Sequence, residues 1–328
     1  MNIEIVSGLS ESKLNILNKF LEKSALTPDP LIDNTVLVWD NDELIATGSR
    51  KDNVLKCIAV DENRQGEGLT ATVLTSLRKE AFDSGLRHLF LYTKPENCDI
   101  FSSLFFYPIA KTDKVLLMEN KKHGITDFVN SLPKANVSGN IGSIVMNCNP
   151  FTLGHRYLIE TASEMCDHLY IFVVSEDKST FSFKDRFEMV KLGVSDISNV
   201  TVLETGPYMI SSATFPTYFL KENDDTGKIQ CMLDIEVFKN YFVPTFSINR
   251  RFVGTEPDCV TTRSYNSALK ENLPCFGVEV TEIPRLKINH YHVSASTVRK
   301  LLYSKDKDSI KRLVPATTYN YLKNLGLL

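Results

Sequence analysis

The residues of this chain best placed to do chemistry lie in two short groups, Thr152-Leu153-Gly154-His155 and Ser294-Ala295-Ser296-Thr297-Val298-Arg299. Hydroxyls, an imidazole and a guanidinium are side chains that hold phosphate oxygens, and each group stands where a turn gives way to a helical pattern. The first follows a short apolar run, Ile141–Met146, that reads as a buried strand. The turn Asn147-Cys148-Asn149-Pro150 cannot extend that strand, because Pro150 lacks an N–H. From Gly154 onward Tyr157, Leu158, Ala162 and Met165 are spaced for one helical face. A strand, a tight turn and a helix start leave free N–H groups and the positive end of the helix dipole facing the turn, which makes an anion site. A surface histidine beside an ordinary turn is the plainer reading of His155. In the second group Ser296 and Thr297 are expected to cap a helix with their hydroxyls, with Arg299 one turn inside.

The elements that must position these groups follow an α/β pattern. Leu169–Val174 reads as a buried strand, a helix begins at Ser182, and Val200–Leu203 is the next strand. Gln230–Ile235 reads as a further strand-like run, with a helix over Val237–Phe242. Ser247–Pro257 runs from strand into loop, and Val278–Ile283 is expected as the final strand. Alternating βα units imply a parallel sheet whose ligands bind beyond the carboxyl ends of the strands. That rule singles out Lys178, and then Arg186 near the start of the next helix, as phosphate ligands. A solvated loop lysine and a surface ion pair with Asp185 or Glu188 are the plainer readings of those two. The loop Gly206–Pro216, with Tyr208, Ser211 and Thr214, suits a pocket for a small carboxylate, or a lid. Gly254 allows close backbone approach, and Glu256 or Asp258 would hold a ribose hydroxyl or magnesium. His290 and His292 alternate as a metal pair would, but lack a third ligand nearby and read as a strand edge or loop.

The first part of the chain reads differently. A helix over Leu14–Leu21 precedes a hairpin, Thr35–Trp39 and Leu44–Gly48 about the turn Asp40–Glu43, and then a strand over Val54–Val60. Asn63-Arg64-Gln65-Gly66-Glu67-Gly68 leads into a helix carrying Leu69, Val73, Leu74, Leu77 and Ala81. His88–Thr93 is a strand, Cys98–Phe106 a helix and Lys114–Met118 a last strand. A polar stretch at Glu119–Gly124 and a linker-like one at Lys134–Asn140 place a domain boundary near residue 130, giving domains 1–130 and 131–328.

Composition narrows the class. At 328 residues, 43% hydrophobic and 23% charged, the chain has material for two ordinary globular cores. A net charge of −3, with no basic excess in either half, argues against a nucleic-acid partner. Seven scattered cysteines form no CxxC pair, which excludes zinc spacing and fits a reducing cytoplasm. No basic leader and no long apolar run are visible, so neither export nor membrane insertion is expected.

Thr152-Leu153-Gly154-His155 resembles the (H/T)xGH signature of the nucleotidyltransferase superfamily, and Ser294-Ala295-Ser296-Thr297-Val298-Arg299 resembles its second signature, (I/V)SSTxxR, slightly altered. Gly66 and Gly68 match the (Q/R)xxGx(G/A) loop of the acyl-CoA N-acyltransferase (GNAT) fold, with Asn63 departing from its first position and Arg64 beside it. The fold implied is α/β: a GNAT-like α+β domain, then a Rossmann-like nucleotidyltransferase domain with a parallel sheet. With Asn149–His155, Ser211–Leu220, Phe252–Pro257 and Tyr265-Asn266, close to the full length resembles the citrate lyase ligase family. That resemblance implies ATP and Mg2+ as cofactors, and acetate and the acyl carrier subunit of citrate lyase, with its CoA-like prosthetic group, as partners. ATP would lie over Cys148, Asn149, Pro150, Phe151, Thr152, Gly154 and His155, with Gly254, Glu256, Ser296, Thr297 and Arg299. His155, Lys178 and Arg186 would stabilise charge during transfer, Tyr208, Ser211 and Thr214 would line the acetate pocket, and Arg64, Gly66 and Gly68 would bind the CoA-like group. The same ligation on the malonate decarboxylase carrier, and a pantetheine-phosphate-type adenylyltransferase, are the alternatives.

Overall fold

The structure, a computed structural model, describes residues 1–177, 179–209, 215–221, 224–256, 260–289 and 291–328. Two compact units emerge, residues 1–124 with 214–236, and residues 125–213 with 237–328.

The first unit is built on a seven-stranded sheet. In chain order come β1 (Asn2–Val6), α1 (Glu11–Lys23), β2 (Asn34–Asp40), β3 (Glu43–Lys51), β4 (Val54–Val60), α2 (Leu69–Asp83), β5 (Phe90–Thr93), α3 (Cys98–Ser103), β6 (Tyr107–Lys111) and β7 (Leu116–Glu119). The strand order is β1-β2-β3-β4-β5-β7-β6. The β2–β3 hairpin turns at Asn41 and Asp42, both at positive φ (48° and 68°), a conformation these two residue types tolerate well. The helical spacing of α2 is realised: Leu69, Val73, Leu74, Leu77 and Ala81 are all buried against Val36, Ile45, Leu55 and Leu91. All neighbouring strands run antiparallel except β4 and β5, which pair in parallel at only two positions, Val54↔Phe90 and Leu55↔Leu91. Cys57, just past that pairing, sits at φ 51° where the β3–β4 register shifts. A bulge twists its strand, which accounts for the two strands parting there. The sequence reading ran the helix of α3 on to Phe106; the structure ends it at Ser103 and starts β6 at Tyr107.

The second unit contains a five-stranded, wholly parallel sheet in the order β10-β9-β8-β11-β12. Its elements are α4 (Gly124–Ser131), β8 (Ile141–Met146), α5 (Leu153–Ser163), β9 (His168–Val173), α6 (Phe183–Gly193), β10 (Val200–Glu204), α8 (Val243–Phe246), β11 (Arg250–Gly254), α9 (Val260–Asn272) and β12 (Glu279–Ile283). A two-stranded hairpin, β13 (Lys287–Ile288) with β14 (Tyr291–His292), follows, and then α10 (Ala295–Ser304), α11 (Lys307–Lys311) and α12 (Ala316–Asn324). The chain runs outward from β8 to β10, then returns to place β11 and β12 on the other side of β8. The order therefore reverses between β8 and β11, where sheets of this kind leave a crevice beyond the strand ends.

Two sequence expectations are corrected. The strand-like run at Gln230–Ile235 is part of a helix, α7 (Thr226–Val237). Cys231, Leu233, Asp234, Ile235 and Val237 are all buried, and an element buried nearly all round shows neither period clearly. Nor is β12 the last strand, since the β13–β14 hairpin comes after it. Among the described residues, no helix is long and apolar enough to cross a membrane.

Candidate functional site

The loop from β8 into α5 is stitched in place before any ligand arrives. Asn147 donates from Nδ2 to Ser179 Oγ (3.1 Å), and the Asn149 side-chain oxygen accepts the Phe181 N–H (3.1 Å). Cys148 is buried, and burial pushes its thiol pKa up, so it is no anion. Phe151 is fully buried, its ring stacked with that of His155 at 5.9 Å between centroids. Pro150 lies between Asn149 and Phe151 in the turn.

Thr152 caps α5 from an extended backbone, and its neighbour three residues on returns the bond. The Thr152 N–H donates to His155 Nδ1 at 3.0 Å, while Thr152 Oγ1 accepts the His155 N–H at 3.4 Å. A ring nitrogen that accepts a backbone N–H carries no proton, so the imidazole proton is on Nε2. Burial, and after it the positive charge of Arg285, pull the His155 pKa from 6.5 down to about 4. His155 is therefore neutral at physiological pH, with an Nε2–H to donate. The Leu153 N–H is already taken by Leu313 O (2.9 Å), while Gly154 N–H has no partner among the described residues. What this helix start keeps for an anion is thus narrower than a bare terminus: the Gly154 N–H and the His155 Nε2–H.

The second signature folds against the first. Helix α10 is capped by Ser294, not by Ser296 or Thr297 as the sequence suggested. Ser294 is the residue in extended backbone (φ −133°, ψ 146°), and its Oγ accepts the Thr297 N–H at 3.1 Å. The other two hydroxyls gather on it, Ser296 Oγ at 2.9 Å and Thr297 Oγ1 at 2.8 Å. One turn in, Arg299 donates from Nη1 to the Asn149 carbonyl at 2.6 Å. Gly154 explains how close the two come. A Cβ there would lie 3.0 Å from the Val293 carbonyl oxygen, just ahead of α10. Glycine at this position lets two backbones meet that a side chain would hold apart.

The other residues singled out from the sequence divide. Gly254 ends β11; its carbonyl accepts from Asn266 Nδ2 at 2.9 Å, and the space beside its Cα is open except for Leu158 of α5 at 3.9 Å. Glu256 is held by Arg285 at 2.6 Å. Arg186 does not face an open site. It is fully buried and donates to four backbone carbonyls, those of Phe181, Asn147, Val174 and Glu176. It braces the turns after β8 and β9, and those bonds occupy the donors a phosphate would need. Tyr208 is buried with its ring 5.4 Å from that of Phe128. Lys178, Ser211, Thr214, Asp258 and His290 lie outside the described residues. Arg285 was missed, although the rule that picked Lys178, a cation directly after a parallel strand, applies to it equally. Among the described residues no cluster of three or more His, Cys, Asp or Glu side chains could hold a metal ion.

The first unit carries a cavity of about 690 Å³, bordered by both walls of the β4–β5 gap, by Gly66 and Gly68, and by Tyr218 and Phe219. Gly66 and Gly68 adopt φ of 87° and 77°, which glycine enters without strain. Gly68 precedes α2 with no side-chain cap, so the helix start faces the loop uncapped. Arg64 is paired with Asp40 (2.9 Å) and Glu67 (2.8 Å), which commits its charge to carboxylates. Tyr218 closes one side of the cavity, its hydroxyl donating to the Tyr92 carbonyl at 2.8 Å.

Comparison with known proteins bears on both units. Residues 141–322 match the family described as the citrate lyase ligase C-terminal domain. A citrate (pro-3S)-lyase ligase of Haemophilus influenzae is 40% identical, over 99% of this chain and 99% of that protein. One of Klebsiella pneumoniae is 41% identical, over 94% of this chain and 92% of that protein. An acyl-CoA N-acyltransferase structure from Pseudomonas aeruginosa covers 37% of this chain and 99% of its own, at 14% identity and a TM-score of 0.33. Because the family match spans residues 141–322 and relatives about 40% identical run along nearly its whole length, the chain belongs to the citrate lyase ligase family.

Proposed function

We propose that this chain is an ATP-dependent ligase that activates acetate as acetyl-adenylate and passes the acetyl group to a thiol. The acceptor is the CoA-like prosthetic group on the acyl carrier subunit of citrate lyase. That the relatives are citrate (pro-3S)-lyase ligases supports citrate lyase as the target. The observation that carries the adenylylation is the bond from Arg299 to the Asn149 carbonyl, which ties the two helix starts together.

The steps balance without a protein nucleophile. A carboxylate oxygen of acetate attacks the α-phosphorus of ATP, the bond to the bridging oxygen of the β-phosphate breaks, and pyrophosphate leaves. The thiol, on losing its proton, then attacks the acetyl carbonyl carbon and AMP leaves. Between two anionic reactants the protein's task is charge stabilisation and alignment. His155 supplies a neutral Nε2–H, Gly154 a backbone N–H, and Ser296, Thr297 and Arg299 supply donors from the second helix start. Magnesium enters with the nucleotide phosphates. The β4–β5 cavity with its Gly66–Gly68 loop holds the prosthetic arm.

Acetate-dependent exchange of pyrophosphate into ATP, repeated with propionate and with no acid, tests the first step. Acetylation of the carrier thiol with release of AMP tests the second. Exchange that is indifferent to acetate would refute the adenylate.

A further inference from the structure

The edge of the second sheet holds a cation that neither signature contains. β11 and β12 are parallel neighbours with Gly254 opposite Ile283, so the residues after them leave the sheet side by side on its ligand-binding edge. After β11 come Thr255 and Glu256; after β12, Pro284 and Arg285. Three bonds lock the two exits together. Thr255 N–H donates to Ile283 O (2.9 Å), Arg285 N–H to Thr255 Oγ1 (3.0 Å), and Arg285 Nη2 to Glu256 Oε1 (2.6 Å). The side chains of Arg285 and Glu256 are only 26% and 14% exposed, so the guanidinium is set in a fixed place and is no loose surface charge.

Two further observations relate this edge to the first signature. The end of β11 packs on α5, where a Cβ at Gly254 would lie 3.9 Å from Leu158, one turn after His155. The charge of Arg285 also bears on His155, where it helps keep the imidazole unprotonated. Arg285 leaves β12 on the same edge of the parallel sheet from which β8 and β11 exit, the edge that carries the crevice between those two strands. Two other arginines at this edge, among the described residues, already serve backbone carbonyls. Arg186 is spent on backbone carbonyls, and Arg299 shares its guanidinium with Asn149.

Resting on the adenylyl-transfer reading above, we infer that Arg285, oriented by Glu256 and Thr255, binds the α-phosphate of the nucleotide and makes that phosphorus approachable by a carboxylate. A guanidinium suits this place because its planar fork matches phosphate oxygens while one nitrogen stays on Glu256. Glu256 is then a positioning residue. This replaces the ribose or magnesium role that its position after β11 suggests.

AMP and adenosine differ only by the phosphate in question, so their relative affinity is the readout. The wild-type protein, Arg285→Ala, Arg285→Lys and Glu256→Gln are titrated with each by calorimetry. Arg285→Ala is expected to weaken AMP by about tenfold or more and to leave adenosine unchanged, since a charge-assisted hydrogen bond to the phosphate is lost. Arg285→Lys recovers part of the loss, and Glu256→Gln falls between. Equal weakening of both ligands, or of neither, overturns the proposal. The same variants enter the acetate-dependent exchange assay. A wild type that binds AMP through Arg285 but shows no acetate-dependent exchange would sink the acetate reading alone. An exchanging wild type whose Arg285→Ala variant keeps its AMP preference would sink the Arg285 assignment alone.

Discussion

The Arg299 guanidinium lies 2.6 Å from the Asn149 carbonyl, a bond between residues in different signatures. It fixes the distance between the two helix starts, so each is built only as well as the other. Arg299→Ala is expected to slow acetate-dependent exchange by about a hundredfold, with Arg299→Lys intermediate because a single ammonium can keep the carbonyl but not the fork. An unchanged rate in a variant with wild-type thermal stability would show that the tie is idle.

His155 should contribute in its neutral form. His155→Ala is expected to lower exchange by two to three orders of magnitude, roughly the value of one preorganised donor, while ATP binding stays nearly unchanged. Because its pKa in the folded chain is about 4, the rate should show no inflection near 6.5 that disappears in His155→Gln. A pH–rate profile on both proteins checks this.

The same depressed pKa makes a stability statement. The unfolded histidine binds protons near 6.5 and the folded one only near 4. Acid therefore favours the unfolded chain. The contribution is complete above about pH 6.5 and is lost as pH falls toward 4. Thermal midpoints measured across that window should drop more steeply for the wild type than for His155→Gln.

Arg186 is predicted to matter for folding more than for phosphate binding. Arg186→Met leaves four backbone carbonyls, one buried and three partly so, without their donor, and a loss of about 3 kcal/mol or more is expected in denaturant unfolding. A stable Arg186→Met protein with a selectively raised KM for ATP would contradict that reading.

The two units should be separable by function. Gly66→Asp with Gly68→Asp places side chains at left-handed positions and acid before an uncapped helix start. Exchange with acetate should persist and carrier acetylation should fail. Equal loss of both activities in a folded variant would remove the first unit from its assigned role.

The sequence showed best what depends on local chemistry. Pro150 marked the turn that follows a strand, the helical pattern read from Gly154 is realised in α5, and the α2 spacing named its buried face correctly. What it hid were properties set by distant partners. Arg186 and Arg285 are both arginines near strand ends. Only the fold shows that one is surrounded by carbonyls and the other is held by a carboxylate at the sheet edge. The cap at Ser294 was missed by two residues because three neighbouring hydroxyls offer equivalent chemistry, and backbone angles decide among them. The α7 run was misread because burial on nearly every side erases the period that distinguishes helix from strand.

The first unit is not finished where its strands end. Residues 214–236 belong to it, and Tyr218 among them bonds to Tyr92. Translation therefore delivers all of β8, β9 and β10 before it delivers the segment that completes the fold begun at Met1. At about 5–20 residues per second, the nascent first unit waits some seconds with its Tyr218 position unfilled. The ribosome must hold one unfinished fold while the next is already emerging, and cutting the gene near codon 130 would strand that missing piece on the wrong fragment.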